Sequence, residues 1–309
     1  MSWCLWYNKT SWLLYDWKKM KKFIILIPVY NDWESLGKLI NDISIQLKDL
    51  KNDMFSFIIL NDGSTKLQPK IKKPENIFSI KILNMKINKG HTICIAYGIH
   101  HILRNEKFDN LILMDGDGED RPEEVLNLIK KNSENLEKSV VAKRVKRSEG
   151  MIFKILYQIH KLITFIFTGH RINFGNFTFL TKNDLDYLSK EPLLWKSYSA
   201  SFKKNLKNFT FINSIRGKRF FGPSKMSILK LILHSLSIVA VFKYQVYLRS
   251  AILLIFFSYL SPTFGTFVLF PQILIVLFSL IIFAVSLNKD INSYEQCNKN
   301  LSSINEITH

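Results

Sequence analysis

Asp115, Asp117, Glu119 and Asp120 put four carboxylates within six positions, in the segment DGDGED that follows the apolar run NLILM (110–114). An Asp-x-Asp pair at a strand end can hold a hard divalent cation through carboxylate oxygens and leave its other positions to phosphate oxygens. Gly116 and Gly118 would let a ligand approach the backbone closely. The residues alone equally allow a solvated acidic turn that caps a helix opening at Pro122. The rest of the chain is strongly basic: 43 Lys and Arg stand against 25 Asp and Glu, for a formal net charge of +18. That surplus favours a phosphorylated ligand, a polyanion or an anionic membrane surface as partner. Acids gathered at one strand end fit such a chain if they recruit Mg²⁺ or Mn²⁺, which makes the site attractive to a diphosphate.

Elements able to position this loop are legible around it. From Phe23 to about residue 143, short apolar runs alternate with helical periodicity, as a mostly parallel sheet of βα units requires. FIILIPVY (23–30), FSFIIL (55–60), SIKIL (79–83) and NLILM read as strands. Leu36, Leu39, Ile40, Ile43 and Leu47 share one face of a helix after the first strand, and a second helix is predicted from Thr92 to Leu103. Ligands of such sheets bind beyond the carboxyl ends of the strands, where NDGS (61–64) and DGDGED both fall. Cys4, Cys94 and Cys297 lie far apart without metal-ligand spacing, which reads as unpaired thiols of a reducing compartment.

Past residue 150 the composition shifts. MIFKILYQIHKLITFIF (151–167) is apolar but broken by Lys154, Gln158, His160 and Lys161, and residues 225–243 repeat the pattern, so both read as interfacial amphipathic helices. From Ser250 to Leu287 no residue is charged. That length suits two membrane crossings of roughly 17 to 20 residues each, turning at SPTFG (261–265). A hairpin buried inside a soluble domain is the alternative. Lys243 and Arg249 before the pair and Lys289 after it place both flanks in the cytoplasm. The Trp-rich start, MSWCLWYNKTSWLLYDW, lacks the marks of a secretory signal, and Met20 reads as a natural start. The expected organisation is an extension (1–22), an α/β catalytic domain (23–224), an interfacial region (225–248), a transmembrane hairpin (249–288) and a loosely ordered polar tail (289–309).

Four segments, in order and at compatible spacing, resemble family-two glycosyltransferases of GT-A fold: IPVYND (27–32), LNDGST (60–65), NKGHTICIAYG (88–98) and LMDGDGEDRPEE (113–124). The likeness extends more loosely to RGKRFFGPSKMS (216–227), as in the membrane-associated branch that includes dolichyl-phosphate mannose synthase and bacterial polyprenyl-phosphate glycosyltransferases. The resemblance implies that Pro28, Tyr30 and Asp32 border the nucleotide and that Asp62 accepts a hydrogen bond from the base. It implies that Gly90 and His91 belong to the nucleotide-sugar site, although a lone His at a helix start is more often a capping or packing residue. Asp115 and Asp117 would face the diphosphate and Mg²⁺ or Mn²⁺, with Asp117, Glu119 and Asp120 as the catalytic acids. Arg144, Arg219, Ser224 and Lys225 would hold acceptor phosphate, since Arg presents a planar fork to phosphate oxygens. Gly175 and Asn176 would line the acceptor side. Asn61 stands where the family has its first Asp and Glu119 where relatives often have Gln. No QxxRW segment is present, which disfavours a processive polymerase.

The expected function is inverting, metal-assisted transfer of a sugar from a nucleotide diphosphate sugar to polyprenyl phosphate at the cytoplasmic membrane face. Two alternatives stay open: transfer to a hydroxyl of a glycolipid or lipid-linked saccharide, which would need Glu119 or Asp120 as base, and a membrane-anchored nucleotide-sugar binder without turnover. A homo-oligomer is compatible with the sequence. Nucleic acid is disfavoured, because the basic residues are not interleaved with aromatics on a recognisable platform.

Overall fold

The protein, a computed structural model, is described over residues 20–135, 138–146, 151–222, 227–287 and 294–307. In chain order its elements are β1 (Lys22–Val29), α1 (Trp33–Gln46), β2 (Met54–Asn61), β3 (Ser79–Met85), α2 (His91–Asn105), β4 (Asn110–Leu113), α3 (Pro122–Glu134), β5 (Val140–Lys146), α4 (Met151–Thr168), β6 (Phe174–Thr181), α5 (Lys182–Ser189), α6 (Tyr198–Asn205) and β7 (Thr210–Ile215). There follow α7 (Ile228–Ala240), α8 (Lys243–Phe264), α9 (Leu269–Leu287), α10 (Tyr294–Asn298) and β8 (Leu301–Ile307).

The strands form one mixed sheet in the order β7-β5-β6-β4-β1-β2-β3-β8. β1, β2, β3 and β4 pair in parallel, whereas β6 runs antiparallel to both β4 and β5. Both faces are covered, so the central strands read as continuous apolar runs: seven consecutive residues of β1, Phe23 to Val29, are buried. One core layer joins β1 and β2 to α1 and α3 through Leu36, Leu39, Ile40, Ile43, Val125 and Leu128. The other seats α2, α5 and α6 through Ile95, Ile99, Ile102, Leu185, Tyr198 and Phe202. The predicted strands and the apolar faces of α1 and α2 therefore stand, with ends shifted by one or two residues.

The tail does not match its expectation of loose order. α10 and β8 return residues 294–307 to the sheet, where β8 pairs antiparallel with β3 from Ile80↔Ile307 to Met85↔Leu301. Tyr294 stacks on Tyr97 with ring centroids 5.3 Å apart, and Arg104 pairs with Glu295 at 2.8 Å. Cys297 is buried beside the α2 core, and Cys94 and Cys297 are both free.

α8 and α9 pack antiparallel, with Ser279 Oγ donating to Ser250 Oγ at 3.0 Å and Gln272 Nε2 to Ser258 Oγ at 2.9 Å. The helix ends inside SPTFG: α8 continues through Pro262 and breaks at Gly265, whose φ of 57° favours glycine. Lys243–Leu287 is long and apolar enough to cross a membrane, with only 17% of its most apolar window buried. Two cations moor its base. Lys196 Nζ donates to the Val285 carbonyl at 2.7 Å, at the negative end of α9, and Arg249 Nη1 donates to the Ile166 carbonyl of α4 at 3.3 Å. α4 and α7 leave Ile159, Leu162, Phe165, Ile232 and Leu233 exposed. Residues 1–19, Ser224, Lys225 and Lys289 lie outside the described residues.

Candidate active site

Three loops meet at the carboxyl ends of β1, β2 and β4. Asn31, after β1, has φ 55°, and its side-chain oxygen accepts from the amides of Thr65 (2.9 Å) and Lys66 (2.8 Å), which locks IPVYND to LNDGST. Asn tolerates this left-handed conformation because its short amide bonds locally. Asp62 is buried, and its carboxylate accepts from the amides of Lys89 at 2.7 Å and Gly90 at 2.9 Å. Both of its oxygens thus grip the start of α2. Asn61 reaches sideways, donating to Asn84 at 2.9 Å, which in turn donates to Ser303 of β8 at 3.1 Å.

The acidic loop is folded on itself. The amide of Asp115 donates to Asp120 Oδ2 at 2.9 Å, and the amide of Glu119 donates to Asp117 Oδ1 at 3.0 Å. His91 Nε2 lies 3.1 Å from Asp115 Oδ1, and Asn176 Nδ2 lies 2.8 Å from that nitrogen and 3.2 Å from that oxygen. Burial opposes protonation of His91, but the charge of Asp115, its hydrogen bond to the ring and the charges of Asp117 and Asp62 together raise the His91 pKa. Burial also opposes ionisation of Asp115, yet His91, Arg144 and Arg216 hold its pKa below the usual carboxylate range. Asp117 and Asp120 go the other way: burial and then the charge of Asp115 push them up to about 6 and about 7.

A strap from β7 closes over these acids. Gly217 N donates to the Glu119 carbonyl at 2.8 Å and Phe220 N to the Asp117 carbonyl at 2.9 Å. Arg216 pairs with Glu119, while Arg219 pairs with Asp32 and, at 2.6 Å, with Asp117 Oδ2. The Phe220 ring lies where a Cβ on Gly118, at φ 85°, would come within 2.6 Å of it, so a side chain there would lift the strap. The Nε–H groups of Arg216 and Arg219 are buried and meet no acceptor among the described residues. Unpaired buried donors are costly unless a ligand completes them. Glu124 anchors the strap's root: it is buried and accepts from Ser214 Oγ at 2.6 Å and Ile215 N at 3.1 Å, with Arg121 at 2.7 Å.

The structure therefore gathers Asp32, Asp62, Gly90, His91, Asp115, Asp117, Glu119, Asp120, Arg144 and Arg219 around one strand-end cleft. Arg144 Nη2 is 4.0 Å from Asp120 Oδ1 and its guanidinium fills the space above Gly175. Arg219, expected on the acceptor side, sits on the acids instead. Pro28 passes behind the loop, its carbonyl 3.2 Å from where a Gly116 Cβ would stand, and Tyr30 is exposed at the rim. The sequence reading missed Arg216, which is separated from Glu119 by almost the whole second half of the domain. It also missed His234 of α7, whose pKa is lowered by burial and by His91 and His160 nearby. Interruption of an apolar helix by a lone His was the only signal.

The donor set suits a hard cation, since Asp115 and Asp117 offer carboxylate oxygens. Among the described residues no group of three or more His, Cys, Asp or Glu converges to hold a metal alone. A metal here would draw its remaining ligands from a phosphorylated substrate and water, and Asp117 would exchange its Arg219 contact for it.

One pH dependence follows from the burial of Asp120. With a folded pKa of about 7 against an ordinary value of 3.8, the native state binds more protons than the unfolded chain between those limits. Stability therefore falls as pH rises through that window. Asp117 adds to the fall up to about pH 6, while Asp115 acts in the opposite sense at more acidic pH. Asp120→Asn is expected to flatten the slope of stability against pH, measured by denaturant titration across that range; an unchanged slope would contradict the assignment.

The sequence profile of glycosyl transferase family 2 matches residues 24–209, more than half of the chain. The chain belongs to this family. The glycosyltransferase is 24% identical over 236 residues to the uncharacterized glycosyltransferase YkcC of Bacillus subtilis, covering 72% of this chain and 69% of that one. It is 26% identical over 226 residues to an undecaprenyl-phosphate 4-deoxy-4-formamido-L-arabinose transferase of Photorhabdus laumondii, covering 70% and 66%. It thus spans about two thirds of the length of these relatives. Among solved structures it is similar to a mannosyltransferase from Pyrobaculum calidifontis in complex with GDP-Man and Mn²⁺, at 12% identity and a TM-score of 0.45, covering 88% and 89%.

Proposed function

We propose that the glycosyltransferase moves a sugar from a nucleotide diphosphate sugar to polyprenyl phosphate at the cytoplasmic face of a membrane. The observation that carries this reading is the strap: two arginines are seated on Asp32, Asp117 and Glu119, each with a buried Nε–H that phosphate oxygens would complete. Asp115 and Asp117 would hold Mg²⁺ or Mn²⁺, which supplies positive charge for the departing diphosphate. Arg216 and Arg219 stabilise the same developing charge as the bond from the anomeric carbon to the diphosphate breaks and the nucleotide leaves with the electron pair. An acceptor oxygen bonds to the anomeric carbon from the opposite side.

The state of the nearby carboxyl groups supports a phosphate acceptor. Glu119 is tied to Arg216, and Asp120 is buried and bound to the Asp115 amide. Neither is poised as the base that a hydroxyl acceptor requires, whereas a phosphate is already ionised at neutral pH. His234 of α7 lies within electrostatic reach of His91, Asp115 and Arg144, so α7 borders the side from which a lipid acceptor would enter. Lys243–Leu287 is read as the membrane hairpin, with the exposed faces of α4 and α7 at the lipid surface. The name of the Photorhabdus relative supports this acceptor.

The test is transfer by detergent-purified protein from UDP-, GDP- and dTDP-sugars, with Mg²⁺ or Mn²⁺, with and without undecaprenyl phosphate. Product that requires both metal and lipid phosphate is expected; donor hydrolysis alone would remove the proposed acceptor. In the same assay Arg219→Ala should raise the donor KM by about tenfold and leave the acceptor KM near its native value, because its partners are the strand-end acids. A selective rise in acceptor KM would return Arg219 to the acceptor side.

A further inference from the structure

The returning tail grips the loop between β3 and α2. The Asn300 side chain, itself buried, accepts from the Ile87 amide at 3.2 Å and donates to the Ile87 carbonyl at 3.0 Å, while the Lys86 amide donates to the Asn300 carbonyl at 2.7 Å. One carboxamide thus satisfies both backbone groups of a residue in the loop that leaves β3 for α2. The contact spans 213 positions of sequence.

From Ile87 a short rigid path leads to the acids. The backbone at Ile87 and Asn88 presses on Gly63, where an added Cβ would come within 2.6 Å of both. The next two amides, of Lys89 and Gly90, are the donors to Asp62, and Gly90 holds φ 95° before the helix starts. His91 then meets Asp115 at 3.1 Å. Every link is a directional hydrogen bond or a close backbone contact, so loosening Ile87 loosens the placement of His91.

We infer that Asn300 is a positioning residue of the cleft: from the tail it fixes the loop 86–91 and through that loop the Lys89 and Gly90 amides and His91. The role in sugar transfer rests on the function proposed above, but the mechanical role does not. Asn300 touches no substrate; it acts by holding a backbone segment that would otherwise have its polar groups free to turn toward solvent. The edge strand alone would not do this, because β8 ends its pairing at Met85↔Leu301.

The test compares Asn300→Ala and Asn300→Asp with Ser303→Ala in the full-length protein. Asp keeps the shape and the acceptor but cannot donate to the Ile87 carbonyl. Ser303 lies on β8, the strand that follows Asn300, and meets Asn84, so its loss weakens β8 without touching the loop. Amide hydrogen exchange in peptides covering 86–91 is expected to quicken by about tenfold or more in both Asn300 variants, with β3 and β8 still protected, and to stay native in Ser303→Ala. Where transfer is measurable, the donor KM should rise while the thermal midpoint of the Asn300 variants stays close to that of Ser303→Ala. Native exchange at 86–91 in both Asn300 variants would overturn the inference. Uniformly faster exchange across β3 and β8 would do so as well, since it would reduce Asn300 to a support of the strand. An absence of transfer in the native protein with selective quickening at 86–91 would instead remove the proposed function and leave the positioning role standing.

Discussion

Asp117→Asn is expected to lower sugar transfer by about 10²–10³-fold while the protein keeps its fold. Asp117 sits at the centre of the charge pattern: its Oδ2 faces Arg219, its Oδ1 accepts from Glu119 N, and Asp115 lies beside it. Asn preserves the shape and one acceptor oxygen but removes the charge proposed to face the metal. Arg219 keeps Asp32, so no buried cation is stranded by the change. Circular dichroism and the thermal midpoint should therefore stay near native while transfer falls, and binding of Mn²⁺ with UDP or GDP, followed by calorimetry, should weaken in parallel. Native turnover in this variant would rule out Asp117 as a metal-facing acid.

Removing residues 294–309 while keeping the hairpin is expected to cost the catalytic domain much of its stability. The cut strips β8 from β3, exposes the Cys94 and Tyr97 side of α2, and removes Tyr294 from its stack. Burial of one large apolar side chain is worth about 2 kcal/mol, and the tail contributes several partly or fully buried residues. A drop in thermal midpoint on the order of 10 °C should follow. A truncation that discards everything after the start of α8 would suffer the same loss, so it cannot serve as a clean test of membrane attachment. Excising only the hairpin and rejoining Phe242 to residue 294 through a flexible linker is the better variant. A tail-deleted protein with a native midpoint would show that β8 adds nothing to the sheet.

What the sequence made legible follows the length scale of the interactions. The strands were readable because a sheet covered on both faces demands unbroken apolar runs, and the acid loop because its residues lie within a few positions of one another. The strap was only half readable. RGKRF could be marked as a phosphate-binding segment, but nothing local says that Arg219 would reach Asp32, 187 positions away. β8 was unreadable for a related reason. Its residues 302–306 are exposed on an edge, so pairing rests on backbone groups and not on an alternating apolar pattern. Asn300 had no signature at all, since a carboxamide that clamps a distant peptide unit looks like any polar residue in a polar tail.

The return of the chain to its own sheet also sets an order of events during synthesis. Residues 301–307 emerge from the ribosome only after the apolar stretch 243–287 has done so. With that stretch read as a membrane hairpin, the nascent domain meets the bilayer before it has its last strand and before Asn300 can grip Ile87. On the function proposed above, the loop 86–91 would then be completed only in a chain already lodged in its membrane, and use of nucleotide sugar away from the lipid would be disfavoured by the path of the backbone itself.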